Sequence, residues 1–502
     1  MGRHPARCTE PPNQRGSTST LRCLPSQGFF MNVNLSPPRS RAAAQPLRQI
    51  GPWLDRNTRL TLTLLLLLAL LPGAMMLWRL GPGPWEAPGL WSEIARNLAE
   101  GRGYVSCEPD YFPFCAAADQ VTAAREPLPV LVFAALAGLF GSLQPAGLIL
   151  AWILNLLILI GTFSIARELG GPRPALLAGL IWALYLPAIR IFYPGITGDA
   201  LATVSITGAL LFFLRAAATG CSRDWIICGL CLGLSVLSRS SAIVLIPVLA
   251  ICALILRRPG RGPLARSAGA RLRPAVLLIC ASVTLLLPWM ARNYLAFDRV
   301  VIGTTLAGYN LYRHNAMLPS GDYLNYVGPE EGHRLLQDLL ARRPDLKGTE
   351  NEAQMDAVYR QEALRIIADH PARYLGLSAY RFVLLWFNWG VEATYGHKHA
   401  DFLDIATLIQ QGVLLFLGMI GAVVGGWRAR PLTFSIGAFV LLHLAVMGRL
   451  YHLMPVMPLV VALGAIGAVW LLQRAWPARH PAGLPVAGGL KQTADERERP
   501  GA

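Results

Sequence analysis

The chain has 502 residues, of which 54% are hydrophobic and only 15% charged. A soluble protein carries about 25% charged residues, whereas the apolar residues here fall in runs of roughly 16 to 24, the length that crosses a hydrocarbon core, which excludes a soluble multidomain protein. The net charge of +16 sits in Arg clusters at the ends of those runs with no nucleic-acid-binding motif beside it, so it reads as the positive-inside bias of a membrane protein and not as a nucleic-acid partner.

Residues 1–50 are rich in Arg, Pro and Ser and have little apolar periodicity. They read as a disordered cytoplasmic tail, or as an over-extended start with Met31 as the initiator. The run 60–80 is longer than a signal-peptide core and lacks a small-x-small cleavage site, so it is a retained first span. Further spans are predicted at 147–166, 174–190, 200–216, 225–238, 241–256, 274–290, 404–426, 431–447 and 453–473, ten in all. Two shorter apolar stretches, 127–141 and 375–391, are placed by charge. The basic clusters, including six Arg between 257 and 273, share one side only if both short stretches stay on the other.

Both termini are then cytoplasmic, and the large loops 81–146 and 291–403 lie outside. The predicted organisation is a basic tail (1–58), an N-terminal membrane module (59–290) that includes loop 81–146, and an extracytoplasmic loop with an interfacial helix (291–403). The C-terminal spans (404–475) and a second tail (476–502) complete the chain. The expected fold class is an all-α polytopic membrane protein of about ten spans, range 10–12, with interfacial helices and a mostly helical outer domain.

Within the first outer loop, Trp91, Ile94, Ala95 and Leu98 share one helical face, with Glu93, Arg96, Asn97 and Glu100 turned elsewhere. This is an amphipathic interfacial helix closed by Gly101. In the second loop, 333–342 and 352–369 have helical apolar spacing, and Pro371 follows the latter. Cys107 and Cys115 share the first loop and can pair as a disulfide if it faces an oxidising compartment. Cys221, Cys228, Cys231, Cys252 and Cys280 lie in or beside spans, where Cys is a small apolar residue.

Polar residues at the outer ends of the spans are the candidates for chemistry, and each has a plainer reading. Arg125, in Arg-Glu-Pro-Leu-Pro, is either an interfacial anchor or a phosphate ligand. Asp199 opens a span, as a helix N-cap does, and an acid there can also meet a metal, a hydroxyl or a sugar. Arg239 lies between two apolar runs, where it either snorkels or lines a cavity. Arg292 and Asn293 stand just beyond the span ending Pro288-Trp289. Arg449, Tyr451 and His452 join two spans and bind phosphate or lipid headgroups. His397 and His399 have i,i+2 spacing near Asp401 and Asp404, but no third ligand is spaced to make a metal site. No Walker loop, GxSxG or dinucleotide fingerprint occurs in a suitable context, which argues against a nucleotide-sugar donor.

The order of motifs is the informative feature. ARNLAEGRGY (95–104) leads to REPLP (125–129), then YPGITG before Asp199, then SVLSRSS (235–241). PWMARNYLAFDRVVIGTTLAGYNLY (288–312), EALRIIADHPARYL (362–375) and GRLYHLMPVMPLVVALGA (448–465) follow. Over 60–475 this series resembles the bacterial polyprenyl-phosphate-sugar-dependent glycosyltransferases of the GT-C type. Its branches include the RgtA/B/C/D-like proteins and the aminoarabinose transferases related to protein O-mannosyltransferases.

The resemblance implies transfer of a sugar, with inversion, from a polyprenyl-phosphate donor to a glycan or lipid acceptor such as lipopolysaccharide core or lipid A. The reaction would occur on the periplasmic face of a bacterial inner membrane. It implies an acid in the first outer loop as base, and a second acid matched by Asp199. Arg292 and Asn293 fit the family's motif and would contact phosphate or sugar. The family's acid stands about four residues before an aromatic that begins the loop helix. With Trp91 as that aromatic the position is Ala87, so the neighbouring Glu86 is assigned as base, with Glu93 as the other candidate. A divalent metal is left open as a cofactor. The competing readings are a transporter or flippase for lipid-linked sugars and an inactive GT-C assembly protein. Polar residues clustered at the outer interface, with no repeat between the halves, argue against a transporter.

Overall fold

A chain in hydrocarbon must satisfy its own backbone hydrogen bonds, which leaves the helix as the local solution for each apolar run. The computed structural model describes residues 45–80, 90–115, 119–141, 144–192, 198–255, 268–325, 327–387 and 402–475. Helix α1 (Gln45–Arg56) leads into α2 (Thr58–Leu80), and the first large loop carries α3 (Leu90–Ala99) and α4 (Pro127–Phe140). Next come α5 (Gln144–Gly170), α6 (Pro172–Ala183), α7 (Leu186–Phe192), α8 (Gly198–Thr219) and α9 (Ser222–Ser238). A 3-10 turn (Ser240–Val244) precedes α10 (Leu245–Ile255) and α11 (Ala268–Phe297). The second large loop holds α12 (Ala307–Arg313), α13 (Pro329–Arg342), α14 (Glu352–Asp369) and α15 (Pro371–Phe387). Helices α16 (Phe402–Val424) and α17 (Gly426–Val446), a second 3-10 turn (Leu450–Val456) and α18 (Met457–Ala475) end the described chain. Among the described residues the only β pairing is an isolated bridge between Val105 and Val121.

The protein is an all-α polytopic membrane protein. Among the described residues seven helices are long and apolar enough to span, or eight if α6 and α7, bent by 46°, count as one. Ten spans were expected, and the difference has a physical origin. α9 has 17 residues, roughly 25 Å of helix at 1.5 Å per residue. The next apolar run is interrupted at its start: Arg239 is extended (φ −155°, ψ 112°) and the chain enters the 3-10 turn before α10 begins. Arg449 is built the same way, extended at φ −145°, ψ 149° ahead of the turn containing Pro455. Such breaks persist in membrane proteins where protein, and not lipid, surrounds the freed backbone. A second correction concerns α11. It has 30 residues, so Arg292 and Asn293 lie on its last turns and not beyond it.

Side chains sort into two main cores and a small third cluster of Ala123, Trp289, Phe297 and Ala353. The larger joins the membrane helices, with Trp182, Tyr185, Phe213, Leu232 and Phe439 among its buried members. The smaller belongs to the two loops and packs Ile94, Phe133, Tyr309, Tyr312, Leu336 and Tyr359 together. Leu67, Leu71, Ile153, Phe416 and Leu441 stay exposed on the spans, as lipid-facing residues do. Arg381 of α15 ties the layers together. Only 3% exposed, it donates to the carbonyls of Leu444 and Ala445 (3.1 Å each). It also donates to the His314 carbonyl (2.6 Å) and to Asn315 Oδ1 (3.1 Å). The first two carbonyls end α17, where the helix dipole favours a cation.

Candidate functional site

Three distant motifs converge at one glycine. A Cβ on Gly198 would stand 2.5 Å from the Ser238 carbonyl oxygen and 3.1 Å from the Pro129 ring. The start of α8 can therefore press against the end of α9 and the start of α4 only because residue 198 has no side chain. That contact sets Asp199, in the first turn of α8, beside Arg239 at the helix break, and the two form an ion pair. Their side chains are 9% and 17% exposed. A buried guanidinium needs such a partner, because desolvation is costly for an unpaired charge.

Glu126 completes the junction. It is the extended N-cap of α4, with Pro127 at the first helical position, but its side chain does not cap its own helix. It accepts instead from Ser240 N (3.0 Å) and Ser240 Oγ (3.1 Å). Ser240 in turn presses on Gly303, where any Cβ would collide with it. From the other side, Tyr451 and His452 come within charge range of Arg239. The His452 ring stacks on His443 (centroids 5.2 Å) and meets Tyr451 edge-on (4.2 Å). Arg449 stands 5.9 Å from the Tyr451 ring. Three buried polar atoms at this junction, Arg239 Nε, Ser241 Oγ and His452 Nδ1, find no hydrogen-bond partner among the described residues. Buried polar groups are nearly always bonded, so a cluster of orphans marks a place made for a polar guest.

Other candidates are engaged elsewhere. Glu93 accepts from Ser106 Oγ (2.7 Å) and so braces the loop after α3. Arg125 stacks over Trp91 (4.6 Å) and Tyr111 (5.4 Å) and donates to Tyr111 Oη (3.3 Å), leaving Nε unpartnered among the described residues. Arg292 was expected to meet phosphate or sugar. Its donors go to the carbonyls of Thr122 (2.7 Å) and Tyr104 (3.1 Å) and to Asn293 Oδ1 (2.9 Å), under the rings of Tyr104 and Trp289. Asn293, fully buried, donates to the Val301 carbonyl (3.0 Å). Both therefore clamp loops to α11. Cys107 and Cys115 are bonded, with Cα atoms 5.6 Å apart. Glu86, His397 and His399 lie outside the described residues. Among the described residues no three His, Cys, Asp or Glu side chains are grouped to hold a metal ion.

Glu352, which the sequence did not single out, holds the segment leading to Arg125 and Glu126. It is 8% exposed and its Oε2 accepts from Ala123 N (2.9 Å) and Thr305 Oγ1 (2.7 Å). Burial raises its carboxyl above the ordinary range, and the hydrogen bonds and Arg292 only partly offset this. The folded chain thus binds this proton more tightly than the unfolded chain. The contribution of this group to stability is full below the ordinary carboxyl range and is lost as pH rises through the folded value. Glu352→Gln keeps the shared acceptor oxygen and should flatten that part of the pH–stability curve. Glu352→Ala strands two buried donors and should cost about 1–3 kcal/mol. Thermal unfolding between pH 4 and 8 checks this, and equal curves for both variants would refute the clamp.

Residues 124–289 match the family of dolichyl-phosphate-mannose-protein mannosyltransferases. This window holds Glu126, Asp199, Arg239 and Ser240 and stops short of Arg292. No curated protein matches the chain. Among solved structures, the oligosaccharyltransferase AglB from Archaeoglobus fulgidus, in complex with an inhibitory peptide and a dolichol-phosphate, is similar at 17% identity and a TM-score of 0.48. The match covers 86% of this chain and 53% of AglB, so the chain spans about half the length of that enzyme. ArnT from Cupriavidus metallidurans, bound to undecaprenyl phosphate, is similar at 16% identity and a TM-score of 0.34, with 85% of this chain and 78% of ArnT covered. The family match covers about a third of this chain and lies on the helices that build the Asp199–Arg239 junction.

Proposed function

We propose that the protein moves a sugar from a polyprenyl-phosphate carrier to an envelope glycan or lipid, such as lipopolysaccharide core or lipid A. Transfer inverts the anomeric carbon and takes place at the periplasmic face of a bacterial inner membrane. The observation that carries this reading is the set of orphaned donors and acceptors around the Asp199–Arg239 pair. Arg239 gives one edge of its guanidinium to Asp199 and keeps Nε for an anion. His452 presents an unpartnered ring nitrogen to the same region. Together they suit a leaving phosphate, whose negative charge grows as the bond to the sugar breaks. Tyr451 and the broken backbone at Arg449 line the approach.

The acceptor hydroxyl needs a base. Asp199 is engaged with Arg239, Glu126 with Ser240 and Glu93 with Ser106. We therefore assign the base to Glu86, on the sequence alone. The Cys107–Cys115 bond supports a loop on the oxidising side of the membrane, the side on which lipid-linked sugars would meet a periplasmic acceptor. Asp199 and Arg239 stay in place while the lipid tail remains in the bilayer.

The deciding experiment is mass spectrometry of lipopolysaccharide and envelope glycans from a deletion strain. We expect one sugar to be missing, restored by the wild-type gene. Unchanged glycans would defeat the reading, and so would purified protein that moves the intact lipid across vesicles without releasing its sugar. Orientation has its own check. Membrane-impermeant thiol labelling should reach single cysteines placed in 300–370 and not those in 257–273, and the reverse pattern would put the chemistry on the wrong face.

A further inference from the structure

The second loop carries a cleft that the transfer site does not use. Helices α12, α13 and α14 border an open cleft of about 480 Å³, within the size of small-molecule sites. None of its lining residues belongs to the Asp199–Arg239 junction. Tyr312, Leu335 and Ile366 form an apolar floor, and Asp338, Arg342, Arg365 and Asp369 stand on its walls.

The wall chemistry is ordered before any ligand arrives. Glu362, whose side chain is 10% exposed, anchors both arginines, with Arg342 Nη1 at 3.3 Å and Arg365 Nη2 at 2.7 Å. Arg342 also donates to Tyr312 Oη (3.4 Å), and Arg365 reaches Asp369 (3.3 Å). Both arginine side chains are more than half exposed, so these pairs add little to stability. What they do is hold two planar donor forks and neighbouring carboxylates in fixed places. The acids Asp338, Glu362 and Asp369 offset the arginines, so the cleft does not present the net positive field that would select a polyanion. Fixed donors, fixed acceptors and an apolar floor match a pyranose ring, which offers hydroxyl edges and a C–H face.

We propose that this cleft binds a neutral saccharide, the non-reacting part of an acceptor glycan. The inference rests on the glycosyltransferase reading and narrows its acceptor to a saccharide. Binding energy gained away from the reacting hydroxyl can be used to hold that hydroxyl in place. The wall is also tied to the transfer site, because α14 begins with Glu352, which bonds Ala123 ahead of Arg125 and Glu126.

The test uses full-length protein in nanodiscs on an array of neutral and acidic bacterial-surface oligosaccharides, followed by titration with the strongest neutral binder. We expect a neutral oligosaccharide to bind, and Arg365→Ala and Asp338→Asn each to weaken it about tenfold, the loss of one good hydrogen bond. Asp338 lies on α13 and Asp338→Asn changes only charge and acceptor character, so it tests the contact without disturbing α14. Binding confined to acidic saccharides, no binding on the array, or equal binding by wild type and both variants would overturn the cleft. If transfer proceeds with unchanged KM in both variants, the cleft fails and the transferase reading stands. If the variants lose saccharide binding while wild type transfers no sugar, the transferase reading fails and the cleft stands.

Discussion

Asp199→Ala should destabilise the protein by roughly 3–5 kcal/mol, because it leaves the Arg239 guanidinium buried and uncompensated. The two side chains are 9% and 17% exposed, so solvent screens the pair little. Arg239→Ala should be milder. The stranded Asp199 sits in the first turn of α8, where the helix dipole favours a carboxylate. Replacing both, as Asp199→Ala with Arg239→Met, should recover most of the stability lost in Asp199→Ala, since a buried ion pair gives way to apolar packing at little net cost. Transfer should not recover. Without Arg239 Nε the leaving phosphate loses a preorganised donor, a loss of roughly 10²–10³ in rate. Thermal unfolding in detergent, run beside a transfer assay, separates the two effects. A double variant as unstable as Asp199→Ala, or one that transfers normally, would show that the pair has a different role.

Glu86→Gln should lower transfer by roughly 10²–10⁴, the usual range for a lost general base, with donor binding retained. Glu93→Gln should do much less, because a Gln side-chain oxygen can still accept from Ser106. Glu93 is engaged in holding Ser106, whereas Glu86 is assigned as the base from its place in the sequence. Single-turnover measurement of sugar release, paired with equilibrium binding of the donor lipid, reads the two steps separately. Near-wild-type release from Glu86→Gln would move the base elsewhere, and the next variant to examine is Glu126→Gln, which also loses charge beside Ser240.

The elements most legible in the sequence were those whose cause is local. Run length and hydropathy placed the long spans but not the shorter α9 and α10, and helical spacing placed α3, α13 and α14 within a few residues of the structure. The pairing available to Cys107 and Cys115 follows from eight residues of separation in one loop. What the sequence left hidden has another character. The motif around Arg292 suggests contact with phosphate or sugar, and it gives no sign of the carbonyls that Arg292 bonds, those of Tyr104 and Thr122, which lie 188 and 170 residues away. Glu126 sat inside a quoted motif and was passed over. Its one distinguishing sign, an acid before an N-terminal Pro, is the ordinary mark of a helix start. Arg381 gave no signal at all, since it is satisfied by carbonyls of α17 that no local pattern predicts.

By itself the sequence determined that this protein lives in a bilayer, that polar loops alternate with apolar spans, and that acids and arginines gather at the ends of spans. Hydropathy and short-range spacing are properties of consecutive residues, so they survive being read one after another. Only the tertiary structure decided which of those charges meet. Asp199 reaches Arg239 across 40 residues, and Glu126 reaches Ser240 across 114. A charge in a low-dielectric interior is defined by its partner and not by its neighbours in the chain.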